Sequence, residues 1–285
     1  MNNIDLHIHT TASDGTASPR EAVETAAALG LSAIAVTDHD SVAGVAEATR
    51  TGASLGVEIV PGIEVSSDYR DNNVHILGYF VDPETASLRP VLDWVQIERD
   101  ERNAKIAAMF ERDGFDLSLA QLREEYPDSV LGRPHFCEHL MHRGYISSVK
   151  EGFEKYLGEN GPYYLPRRRI SMAGAVETIV AAGGVPVLAH PLQYRYSESE
   201  VIELIETAKS LGVCALEVYY SEFSAEQTAW LVRAAERYGM GVSGGSDWHG
   251  TRKPHISMGT GCGNLAIPYS ILEDLRKLRK PGPPA

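Results

Sequence analysis

The sequence predicts an α/β chain built from parallel βα units, closed as a barrel or spread as a doubly wound sheet. Three observations predict it. Short apolar strands alternate with longer helical patterns along most of the chain. The length of 285 residues suits one large domain or two smaller ones. Histidines and carboxylates recur at the strand ends, where βα barrels build their sites.

The elements follow in order. Residues 4–9, Ile-Asp-Leu-His-Ile-His, read as the first strand. Ser18, Pro19 and Glu21 supply an N-cap, a proline at N1 and an acidic first turn, so a helix opens there and stops near Gly30. Residues 33–37 are a second strand, 42–55 a helix, and 58–64 and 74–79 further strands. Over 88–168 the rhythm breaks into helices at 88–112, 119–126, 134–143 and 149–157. This stretch reads as an insertion and substrate-binding cap, between barrel parts at 1–87 and 169–285. The alternation then resumes with helices at 171–182, 198–211 and 225–238 and strands at 185–189, 215–218 and 241–244. A helix at 269–279 closes the pattern, and residues 281–284 are a frayed tail.

Composition narrows the function classes. Hydrophobic content of 43% and charged content of 23% exclude general disorder and collagen-like structure. Cys137, Cys214 and Cys262 lie far apart, which excludes a disulfide scaffold and a cysteine zinc ribbon and fits a reducing compartment. The first ten residues lack the basic and apolar regions of a signal peptide, and no apolar run reaches the roughly 18 residues of a membrane span. The expectation is a soluble, cytoplasmic protein. The net charge of −13 argues against binding long nucleic acid. Residues 131–169, however, carry seven Lys/Arg against four acids, a balance of +3 that leaves −16 elsewhere. An acidic body with one basic patch suits a small anion.

His7 and His9 are two apart on the first strand, so they share a face. Asp14 lies in the following loop, His39 after the second strand, Glu64 at the end of the third, and His75 in the fourth. His190, Asp247 and His249 follow later strands. Imidazole and carboxylate are ligands for divalent first-row metals, and nine candidates exceed what one ion uses. Two or three ions sharing a carboxylate stabilise both the attacking and the leaving oxygen of an in-line displacement at phosphorus. No P-loop and no GxGxxG after a strand is present, so NTPase and dinucleotide readings lose support.

In chain order, DLHIHTTASDG, VTDHD, PGIEVS, VHILGYF, LAHP and GGSDWHG resemble the PHP (polymerase and histidinol phosphatase) family over residues 4–250. The resemblance implies a distorted (β/α)7 barrel with a trinuclear metal site. It implies that His7, His9, Glu64 and Asp247 hold one ion, Asp14, His39 and His249 a second, and Glu64, His75 and His190 a third, with Glu64 bridging. His190, Asp247 and His249 are the candidate catalytic residues, with His190 assisting proton transfer. Mn2+ is the expected ion, with Zn2+, Fe2+ and Mg2+ as alternatives.

Within the insertion, LGRPHF, FEKYLG and YYLPRRR resemble the branch of 3′,5′-nucleoside bisphosphate phosphatases, some of which also act as 5′-to-3′ exonucleases on short RNA. The implied reaction removes the 3′-phosphate to leave a nucleoside 5′-monophosphate, with short 5′-phosphorylated oligonucleotides as further substrates. Arg133, Lys155 and Arg168 offer cationic donors for the phosphate that is not cleaved, with His135 and Tyr164 beside them. Arg133-Pro134 also reads as a plain helix start, and Phe153, Tyr156 and Tyr164 also suit the insertion's core. Glu217 is expected behind the ligands or at the edge of the core. Histidinol-phosphate phosphatase, a polymerase proofreading module and a non-catalytic metal-binding domain are the alternative functions. Histidinol phosphate gives a second cationic cluster no purpose, and no ligand position is lost as a non-catalytic domain would require.

Overall fold

The computed structural model describes residues 3–127 and 129–279, so the tail expected at 281–284 lies outside them. Its strands are β1 (Asn3–Ile8), β2 (Ala33–Val36), β3 (Glu58–Tyr69), β4 (Asn72–Tyr79), β5 (Ile170–Ser171), β6 (Val185–Leu188), β7 (Ala215–Tyr220), β8 (Gly241–Gly245) and β9 (Ile267–Pro268). They form one sheet in the order β8-β7-β6-β4-β3-β2-β1-β9, with the two-residue β5 beside β3. Leaving aside the two-residue β5 and β9, seven strands curl into a nearly closed barrel of the distorted (β/α)7 kind.

The sheet departs from the expected parallel pattern at β4, which runs antiparallel to both β3 and β6. The cause is local. Arg70 and Asp71 both take positive φ, 53° and 65°, which makes a two-residue hairpin turn and leaves no room for a crossover helix. β3 therefore extends to Tyr69, past the end expected near Glu64.

β1 and β8 close the barrel through their C-terminal ends. The Asp247 N–H donates to His7 O at 2.8 Å, and the His9 N–H to Trp248 O at 2.9 Å. Gly245 is required there, because a Cβ on it would lie 2.3 Å from His7 Cβ. The buried Asp5 carboxylate accepts from Ser246 N–H (2.8 Å), Ser246 Oγ (2.6 Å) and Gly259 N–H (2.7 Å), stitching the seam.

Helices α1 (Pro19–Ala28) and α2 (Val45–Leu55) cover β1 and β2. The Ser18 and Glu21 side chains form a capping box at the start of α1. The insertion contains α3 (Leu88–Arg112), α4 (Leu119–Glu125), α5 (Arg133–His142) and α6 (Val149–Gly152), the last running into a π-helical turn over Phe153–Leu157. It buries its own apolar cluster, including Phe110, Leu122, Phe136 and Leu140, with Phe110 stacked on Tyr163 at 3.8 Å. Helices α7 (Met172–Ala181), α8 (Glu198–Ser210) and α9 (Ala225–Tyr238) pack outside β4, β6 and β7. Finally, α10 (Ser270–Lys277) packs against β8 and β9, with Leu272 and Leu275 in the same apolar cluster as Ile4 and Leu6 of β1. Among the described residues, no helix is long and apolar enough to cross a membrane.

The insertion sits over the C-terminal strand ends. Ser129 Oγ donates to Thr11 O at 2.7 Å after β1, Arg99 pairs with Asp40 after β2, and Arg252 Nε after β8 donates to Glu138 at 2.6 Å. Replacing Asp5 by Ala leaves several buried donors unpaired, at about 1–3 kcal/mol each. The Asp5→Ala protein is expected to lose about 3 kcal/mol or more of unfolding free energy in urea without metal. A loss under about 1 kcal/mol would show that water or a rearranged loop replaces this stitch.

Candidate active site

The strand alternation that buries His7 and His9 brings their Nε2 atoms within 3.1 Å of each other. Glu64, projecting from β3, reaches between the surrounding rings. Its Oε2 lies 3.4 Å from His7 Nε2, 3.2 Å from His9 Nε2 and 2.9 Å from His39 Nδ1. Its Oε1 lies 2.9 Å from His75 Nδ1 and 3.0 Å from His190 Nε2. Asp247 Oδ1 is 3.2 Å from His9 Nε2 and 3.6 Å from His7 Nε2. Asp14 Oδ1 is 3.3 Å from His249 Nε2 and 3.9 Å from His39 Nε2. All nine ligand types singled out in the sequence therefore meet in one place.

These residues suit divalent ions. Two donors about 2.1 Å from one tetrahedral ion stand about 3.4 Å apart, the spacing seen among His7, His9, Glu64 and Asp247. Among the described residues, the buried Asp14 Oδ1, His39 Nδ1 and Glu64 Oε2 make no contact with the geometry of a hydrogen bond. Outer ring nitrogens are occupied instead. His7 Nδ1 meets Glu217 Oε1 at 2.9 Å, and His249 Nδ1 meets Asp247 O at 2.8 Å, which turns each Nε2 lone pair inward. Glu217 also accepts the His190 N–H at 2.8 Å, so it sits behind the ligands.

Burial and charge oppose one another throughout the cluster. Burial opposes a charge on His7 and His9, yet the neighbouring carboxylates outweigh it, holding His7 well above its usual range and His9 at about 9. Burial pushes His75 and His249 down to about 4. The Asp14, Glu64 and Asp247 carboxyls would be raised by burial, but the positive groups around them hold each well below the normal range. Strain accompanies this geometry. Asp40, His190 and Asp247, following β2, β6 and β8, take left-handed φ of 51°, 26° and 57°.

Beside the cluster, under the insertion, lies a cavity of about 210 Å³. Asp14, His39 and His75 line it together with Arg99, Arg102, Arg133, Arg167 and Arg169, and Asp71 and Glu159 are also on its wall. Three of these guanidiniums have carboxylate partners. Arg99 Nε and Arg167 Nη2 donate to Asp40 Oδ2 at 2.9 and 3.2 Å, and Arg169 Nη2 to Asp68 at 2.8 Å. Among the described residues, Arg102 bonds only to Asn103 Oδ1, at 3.1 and 2.8 Å. Arg133 donates to Leu157 O at 3.1 Å and lies over the Phe153 and Tyr164 rings. Burial, then the neighbouring Arg99, Arg133 and Arg167, pushes Arg102 well below the usual guanidinium range.

The structure sorts the other predicted residues. Arg133 and Tyr164 line the cavity; Lys155 and Arg168 do not. Lys155 is exposed on the π-helical turn and pairs with Glu151. In the run 167–169, side chains alternate. Arg167 and Arg169 point inward at 7% and 11% exposure, while Arg168 points outward at 75% and pairs with Glu98. His135 is fully buried beside the Tyr126 ring, its Nδ1 accepting from Gly132 N–H at 2.9 Å, and it is off the cavity wall.

Sequence reasoning missed Arg99 and Arg102. The signal was a polar stripe on α3: Glu98, Arg99, Arg102 and Asn103 are all buried and fall at helical spacing on one face. It also missed Tyr220 and Lys253, whose side chains both donate to Asp247.

The sequence matches the PHP domain family over residues 5–218. It is 34% identical over 253 residues to a 3′,5′-nucleoside bisphosphate phosphatase of Chromobacterium violaceum, covering 87% of this chain and 88% of that one. It is 31% identical over 245 residues to a 5′-3′ exoribonuclease of Haemophilus influenzae, covering 86% and 89%. A crystal structure from Bifidobacterium adolescentis, described as that of a metal-dependent phosphoesterase, superposes with a TM-score of 0.87 at 28% identity, over 98% of this chain and 96% of that one.

Asp40 holds two cavity guanidiniums at once. Breaking a buried ion pair by removing one partner costs about 3–5 kcal/mol. The Asp40→Ala protein is expected to show a loss of that size in guanidinium unfolding of metal-free protein. A loss below about 1 kcal/mol would mean that Arg99 and Arg167 reach solvent when released.

Proposed function

The chain belongs to the PHP domain family, and from that membership we propose that it is a metal-dependent phosphoesterase that releases the 3′-phosphate of nucleoside 3′,5′-bisphosphates. Short 5′-phosphorylated oligonucleotides are its further substrates. One observation carries the choice of substrate. Arg102 and Arg133 line a cavity that also reaches Asp14, His39 and His75, and among the described residues neither has a carboxylate partner. A buried cation such as Arg102 without a carboxylate partner is costly, and an anionic ligand group removes the cost. A metal cluster alone accepts any phosphoester, whereas this second anchor selects substrates phosphorylated at both ends. Histidinol phosphate, with one phosphate, leaves the pair unused.

In this reading His7, His9, Asp14, His39, Glu64, His75, His190, Asp247 and His249 hold two or three divalent ions, Mn2+ by preference. Such ions polarise phosphoryl oxygens and lower the pKa of an attacking water. The chain's own groups do the rest. Glu217 orients His7, and Asp247 through its carbonyl orients His249. Among the described residues His190 Nδ1 has no hydrogen-bond partner, and this reading assigns that nitrogen to proton transfer. The insertion acts as the cap: Arg133, placed over Tyr164, and Arg102 bind the phosphate that is not cleaved, with Arg167 and Arg169 beside them in place of Arg168 and Lys155. The free space of about 210 Å³ suits a small substrate or the end of a short strand.

Two experiments check this reading. Asp14→Asn and His249→Ala are expected to fold normally by circular dichroism and to lose nearly all turnover, as is wild-type enzyme stripped by chelator. Full activity in any of the three sinks the metal reading. Arg133→Ala should lower kcat/KM on adenosine 3′,5′-bisphosphate by roughly 10- to 100-fold, from about 1.5–3 kcal/mol of charge-assisted contact, and hardly change it on adenosine 3′-monophosphate. Equal losses on both substrates would assign Arg133 to the reacting phosphate or the fold.

A further inference from the structure

Asp247 presents its two carboxylate oxygens to different surroundings. Oδ1 faces the imidazoles of His7 and His9, with His249 Nδ1 at 3.4 Å. Oδ2 faces away from them and is taken twice: Tyr220 Oη donates to it at 2.7 Å and Lys253 Nζ at 2.6 Å. Tyr220 comes from the end of β7, and Lys253 directly follows the 3-10 turn Gly250–Arg252. The Asp247 backbone is also fixed. Its N–H donates to His7 O, its carbonyl meets His249 Nδ1, and its φ is 57°. Glu64 differs, since both of its oxygens face imidazoles.

A lysine here is unexpected. The cluster is suited to divalent cations, and an ammonium bonded to one of its three carboxylates repels any cation bound through the other oxygen. That repulsion is weakly screened, because the pair is mostly removed from water.

We propose that Lys253 is a positioning residue that restricts Asp247 to a single metal-facing oxygen and makes the ion held there the most readily released of the cluster. The proposal rests on the metal-centre reading above. Tyr220 shares the first task, as its hydroxyl closes Oδ2 without adding charge. Lys253 alone performs the second. The arrangement divides the centre into an exchangeable part at His7, His9, Glu64 and Asp247 and a more tightly held remainder away from Asp247.

The test compares Lys253→Met, Lys253→Arg and Tyr220→Phe with wild type, each loaded with Mn2+ and titrated with a chelator while bound manganese is counted. Unfolding of the metal-free proteins is followed by circular dichroism. Lys253→Met is expected to keep a cooperative unfolding transition and to need at least tenfold more chelator to give up its first manganese equivalent. Lys253→Arg, which keeps the charge, and Tyr220→Phe, which loses only a neutral hydrogen bond, should stay within about threefold of wild type. Unchanged or weaker retention in Lys253→Met overturns the proposal, and so does tenfold tightening in Tyr220→Phe, which would credit the freed oxygen instead of the charge. Should Lys253→Met fail to fold, release from Lys253→Arg decides: a tenfold change in either direction overturns the charge argument. A wild type that takes up no manganese overturns the metal-centre reading, and this proposal with it.

Discussion

The carboxylate of Glu64 touches five imidazoles, and most of the molecule can be understood as the means of bringing those rings to it. His7 and His9 come from β1, His39 from beyond β2, His75 from β4 and His190 from beyond β6. No short segment could supply them together; only a sheet curled on itself brings so many strand ends within reach of one side chain. Burying so many polar groups opposes folding, and the surroundings show how it is offset. Glu217 and Asp38 are full acceptors behind the ligands, and Gly245 lets β1 and β8 meet closely enough to close the ring.

The charge distribution follows from the same constraint. A site for cations must be acidic, but a site for phosphate must also be cationic, and the two cannot share one wall. The barrel supplies the acidic wall and the insertion most of the basic one. Asp40 joins them, accepting the Ser66 N–H on one oxygen and Arg99 and Arg167 on the other. The two guanidiniums outweigh burial and hold its carboxyl at about 2, so it stays ionised at neutral pH.

The sequence displays the ligand set clearly because each ligand sits at a strand end, where alternation and chain order fix its direction. Elements with strong local signals, such as α1 with its capping box and α3 with its length, were equally legible. What was hidden depends on parity or on distant packing. Within 167–169 any one of three arginines could face inward, and the choice of Arg167 and Arg169 over Arg168 is set by where the chain joins β5. Lys155 sits one turn beyond Glu151, and that local pairing turns it away from the cavity. The reversal at β4 hinged on two ordinary residues, Arg70 and Asp71, adopting a conformation more often taken by Asn and Gly. Lys253 carries no pattern, since its partner is reached across a turn and not along a helix or strand.

The insertion's separate apolar cluster has an evolutionary consequence. Because Phe110, Phe136 and Leu140 pack among insertion residues, drift within that cluster leaves the barrel and its ligands untouched. A lineage can therefore explore new leaving groups by remodelling the roof while the hydrolytic floor stays constant. The freedom has a limit at the joints. Asp40 and Glu138 each answer an arginine across the boundary, so a transplanted roof must arrive with Arg99 and Arg167 and meet Arg252, or strand a charge in the interior. Inheritance of this module is thus tied to three arginines more tightly than to the rest of its sequence.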